Sequence, residues 1–85
     1  MNTMMIRLDN IDKLKRFVDA CSRIDAEMEA KSGSFISNPK SMLGLMTLNL
    51  SEPLELHVLS SKGRAEDIFE QLRDYRWDLS GDREA

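Results

Sequence analysis

Lys40-Ser41-Met42-Leu43-Gly44-Leu45-Met46-Thr47-Leu48-Asn49-Leu50 is the most apolar run in the chain, yet it opens with a cation and a hydroxyl and carries a glycine inside. Asn38-Pro39 just before it is a turn signal, since proline disfavours helix at the residue that precedes it. Ser41 is then placed to act as an N-cap, its oxygen accepting a backbone N–H from the first turn. From Met42 onward the run is short and apolar on every side, so no single buried stripe can be drawn on it. A small domain cannot bury all faces of such a helix. Part of it is therefore expected at the surface, which is a property of binding sites more than of cores.

Working outward, Ser51-Glu52-Pro53 breaks the chain after this helix, and Leu54 to Leu59 alternates, with Leu54, Leu56 and Val58 opposed to Glu55 and His57. A loop at Ser60-Ser61-Lys62-Gly63 leads to Ala65, Ile68, Phe69, Leu72 and Tyr75, the apolar stripe of a final helix. On the other side, Ile24, Ala26, Met28 and Ala30 alternate with Asp25, Glu27 and Glu29, a strand with one acidic face. Ser32-Gly33 supplies a turn, and Ser34 to Ser37 returns as a short strand. Before these, Ile11, Leu14, Phe17, Val18 and Cys21 recur at helical spacing behind a cap at Asp9 or Asn10. The chain opens with Thr3 to Leu8, which alternates as a strand. The order is βαββαβα. Four strands with one apolar face each need one covering layer, so the helices are expected together on one side of the sheet.

The stretch from Lys40 to Leu50 resembles the second-helix segment of the HPr family, small phosphocarriers of the bacterial sugar phosphotransferase system. In that family a Lys-Ser pair opens an apolar helix containing a glycine, and a leucine-containing turn leads into the last strand. The resemblance implies an α+β, HPr-like open-faced β-sandwich, a four-stranded antiparallel sheet with three helices on one face and strand order first-fourth-second-third. It also implies that Leu45, Leu48 and Leu50 point inward, while Met42, Leu43 and Met46 face solvent beside Lys40 and meet partner proteins. Ser41 falls on the serine that a dedicated kinase modifies in many members. The family's second motif, a histidine in Gly-x-His-x-Arg-Pro-Ala, is missing. The corresponding region is Asp9-Asn10-Ile11-Asp12-Lys13-Leu14, whose two aspartates would repel a phosphate.

Composition narrows the remaining classes. Eighty-five residues suit a single domain over 1–85, with 78–85 a polar, frayed tail. A hydrophobic fraction of 41% with 32% charged residues is that of a globular chain. A net charge of −3 argues against nucleic acid as partner, and no apolar segment is long enough to span a bilayer. No secretory leader is read, and one cysteine suits a reducing cytoplasm. Cys21, on the apolar stripe of the first helix, reads as a core residue. His57 reads as a solvated strand residue on the polar face, and the carboxylates beside it as solvated surface with no metal site.

These observations point to a non-enzymatic regulatory or adaptor relative of the phosphocarrier, without cofactor or metal. It would act through its central helix and Ser41, with other proteins as partners: by resemblance Enzyme I, HPr kinase or a transcription regulator. Two rivals remain: an active phosphocarrier using Asp9, Asp12 or His57, and a domain that buries its apolar helix in a homodimer.

Overall fold

The structure, a computed structural model, describes residues 2–77. The expected tail over 78–85 lies outside the described residues. Strand β1 covers Thr3–Ile6, helix α1 Ile11–Ser22, strands β2 and β3 Ala26–Ser32 and Phe35–Ser37, helix α2 Met42–Met46, strand β4 Leu54–Ser61 and helix α3 Ala65–Gln71, followed by one 3-10 turn at Arg73–Tyr75. The βαββαβα order is therefore present, and the antiparallel sheet runs β1-β4-β2-β3, the order implied by the resemblance.

Period-two patterning places the core on one face of this sheet. Met4, Ile6, Met28, Ala30, Leu54, Leu56 and Val58 are buried under the helices. The outer face carries Glu27, Glu29, Glu55 and His57, with Glu29 directly opposite His57. From above, α1 contributes Leu14, Phe17 and Cys21, and α3 contributes Ile68. Phe17 also meets the Tyr75 ring edge-on, with centroids 5.1 Å apart. Asn10, not Asp9, caps α1, its Oδ1 accepting the Lys13 N–H at 2.7 Å.

Several boundaries moved for reasons of long-range pairing. β2 starts at Ala26, because Ile24 is buried in the loop that leaves α1. A register shift between Glu27 and Met28 then interrupts the ladder with β4. β2 continues to Ser32, so the hairpin turn is Gly33-Ser34, with Gly33 at φ +61° as a two-residue turn requires of its first position. β1 stops at Ile6. There the chain after the 3-10 turn closes along its free edge: the Arg7 N–H reaches the Tyr75 carbonyl at 2.9 Å, and the Trp77 N–H the Met5 carbonyl at 3.0 Å. Sequence periodicity gave no sign of this added edge segment, which shields β1 from unwanted pairing. No described helix is long and apolar enough to cross a membrane.

Candidate functional site

α2 is a five-residue helix and survives because both ends are tied. Pro39 is fully buried and anchors the turn, and the Ser41 N–H closes it on the Asn38 carbonyl at 2.9 Å. Ser41 has extended backbone, and its Oγ accepts the Gly44 N–H at 3.0 Å, the N-cap bond expected of it. At the other end Thr47 Oγ1 donates to the Gly44 carbonyl at 2.6 Å. An alanine Cβ at Gly44 would intrude on Ser37 Oγ of β3 and crowd Ser41 Oγ at 3.2 Å. Glycine is what lets the helix lie this close to the sheet.

Patterning left this run without a buried stripe, and its two faces separate largely as the resemblance implies. Leu45 and Leu48 are buried, and Leu50 packs half-buried against the core. Leu43 is 77% and Met46 52% exposed. Met42 departs from the outward position implied by the resemblance: it is half-buried and packs against the core. One helical turn separates Met42 from Leu45 and Met46, and its side chain falls between the inward and outward directions. The exposed patch on α2 is thus Leu43 and Met46.

Lys40, expected with these residues to meet partner proteins, turns its charge inward. Its Nζ donates to the Ile24 carbonyl at 2.8 Å, and the side chain is half-buried. The ammonium lies toward Cys21 at the end of α1. Burial pushes the Cys21 thiol up to about 12, against the opposing pull of that charge. Cys21 is therefore a protonated core side chain, as its place on the α1 stripe suggested.

The start of α1 offers little to a phosphate. Asn10 takes the Lys13 N–H through its side chain and the Leu14 N–H through its carbonyl. Asp9 lies 3.7 Å from Lys13 Nζ, and Asp12 pairs with Arg16 at 3.3 Å, so the nearby cations already face carboxylates. A shallow cleft of about 320 Å³ between residues 8–11 and Leu50-Ser51 is lined by Asp9. His57 is distant from all of this on the outer sheet face. Its Nδ1 lies 3.1 Å from Thr3 Oγ1 and its Nε2 2.9 Å from Glu55 Oε1, so both ring nitrogens are engaged. Among the described residues no three His, Cys, Asp or Glu side chains converge as metal ligands.

Two further surface features were not anticipated. Phe35 and Ile36 of β3 are 69% and 56% exposed, and Leu59 of β4 is 55% exposed. A signal existed for the first pair: residues 32–39 contain no charge in a chain rich in it. Compared with family models, curated proteins and solved structures, the chain matches none.

Proposed function

We propose that this protein is a non-catalytic, HPr-like regulatory or adaptor domain of the phosphotransferase system that binds other proteins through α2. The observation that carries the reading is the apolar pair Leu43 and Met46, held in the open on a helix capped at both ends. A methionine in such a patch adapts to more than one partner surface. The lack of the histidine motif and the acidic start of α1 support binding without phosphoryl transfer. By resemblance the partners are Enzyme I, HPr kinase or a transcription regulator, in a bacterial cytoplasm.

Ser41 is the position at which such binding would be switched. A phosphate on its Oγ would bring about −1.5 to −2 charges to the first turn of α2. The N–H groups of Met42 and Leu43 there have no partner within the helix. The new charge would sit beside Leu43 and Met46 and repel an acidic partner.

The test is incubation with Enzyme I and phosphoenolpyruvate, and separately with HPr kinase and ATP. No label is expected from the first, and label on Ser41 from the second. Acid-labile phosphate on His57, or acyl phosphate on Asp9 or Asp12, would establish a working phosphocarrier instead. Unlabelled Ser41, under conditions where a true HPr is labelled, would leave only the cap.

A further inference from the structure

β2 spans Ala26–Ser32, but β3 pairs only with Ala30, Lys31 and Ser32. After Ser37 the chain turns away through Asn38-Pro39, where the Lys40 N–H bonds Asn38 Oδ1 at 2.9 Å. Glu27, Met28 and Glu29 are thus paired with β4 on one side, while on the other they border an open groove of about 520 Å³. Ile36, Lys40 and Leu59 complete its walls.

The backbone in this groove is poised for pairing. A two-residue turn closes on the Ser32–Phe35 pair, so antiparallel alternation turns the N–H and C=O groups of Ser32 and Ala30 toward β3. By the same alternation Glu29 and Lys31 turn theirs toward β4. Met28 is the next residue in the β3-facing set, and its N–H and C=O point to where β3 would have continued.

The walls differ in charge. On the helix side stands the half-buried Lys40 ammonium, whose one side-chain hydrogen bond among the described residues is to the Ile24 carbonyl. It takes part in none of the ion pairs among the described residues. An ammonium has three donors, so two remain to be used. On the outer side stand the carboxylates of Glu27 and Glu29 between the exposed side chains of Ile36 and Leu59.

We infer that this groove binds an extended segment of a partner protein, added to β2 in line with β3. The segment carries an acidic side chain inward against Lys40, and basic or β-branched side chains on either side of it outward against Glu27, Glu29, Ile36 and Leu59. Main-chain bonds to Met28 supply attachment, and the alternating walls supply specificity. This surface is separate from the Leu43–Met46 patch, so neither reading depends on the other.

A display library of random linear heptapeptides, panned on the whole chain, tests this. Enriched peptides should carry one Asp or Glu flanked on both sides by Lys, Arg, Val or Ile. In titrations with such a peptide, the amide shifts should move at Glu27, Met28 and Glu29. Lys40→Gln should weaken the peptide about tenfold, the factor expected for one charge-assisted hydrogen bond. Should Lys40→Gln compromise folding, Ile36→Lys, at an exposed site, should weaken the same peptide with the circular dichroism spectrum unchanged. No enrichment, shifts centred on Leu43 and Met46, or full affinity in both variants would overturn the inference. So would self-association of the free protein through Met28, because a second copy would then be the occupant.

Discussion

Gly44 makes a sharp prediction because two effects of known size oppose each other there. Replacing a helical glycine by alanine ordinarily stabilises by about 1 kcal/mol. Here the added Cβ would intrude on Ser37 Oγ and come within 3.2 Å of Ser41 Oγ and 3.3 Å of Ser41 Cβ. Overpacking of this kind costs about 1–3 kcal/mol, and a weakened cap costs about 1 kcal/mol more. The cost outweighs the propensity gain, so Gly44→Ala should destabilise by about 1–3 kcal/mol. In a domain of this size that is a fall in Tm of about 4–24 °C. Ser37→Ala removes the obstructing oxygen but leaves the strand intact. In that background Gly44→Ala should be close to neutral, giving a coupling of at least ~1 kcal/mol between the two sites. Urea denaturation of the four proteins of the cycle, followed by circular dichroism, measures it. If Gly44→Ala costs the same in both backgrounds, α2 does not depend on close approach to β3 and the packing argument fails.

Met46→Asp should change stability by no more than about 0.5 kcal/mol, as surface substitutions do, whereas Leu45→Asp buries an unpaired charge and should unfold the domain; equal losses would mean the helix is buried all round. Ser41→Ala removes the bond to the Gly44 N–H and should cost about 1 kcal/mol, while Ser41→Asp, also a good cap, should restore it; thermal melts of both decide the point. Burial raises Cys21 from 9.0 to about 12 and also raises Tyr75, so the unfolded chain releases these protons first as pH climbs. Stability is fully present below about pH 9 and should decline above it, with a limiting slope of about 1.4 kcal/mol per pH unit from Cys21 alone. Cys21→Ala should flatten that decline in urea titrations between pH 8 and 10.5.

Most of the architecture was legible because it is written in local periods. The α1 stripe through Leu14, Phe17 and Cys21, and the alternation of Leu54, Leu56 and Val58, state both the element and its buried face. Turn chemistry at Gly33 and Pro39 fixed where the chain reverses. What patterning missed depends on partners far away in sequence. Trp77 closes on Met5 across more than seventy residues, and nothing near either position announces it. β3 was expected to bury one face, but its three residues sit at an edge where Phe35 and Ile36 stay exposed.

The candidate site was legible to the same limit. Ser41 as cap, and some exposed apolar surface on α2, follow from turn chemistry and a short helix that cannot bury every face, whereas the choice of Leu43 and Met46 came from the resemblance alone. Met42 and Lys40 did not follow, because each position is decided by the end of α1 and the core beneath it. That displacement changes the chemistry on offer. A Lys40 facing Ser41 would have balanced a phosphate there. Tied to Ile24, it places its charge beside the open edge of β2. An added negative charge on Ser41 would act on a partner at the Leu43–Met46 patch. A segment docked along β2 would engage Lys40 directly. If both sites are used, Lys40→Gln should weaken the second and leave the first unchanged, because its ammonium faces only one of them.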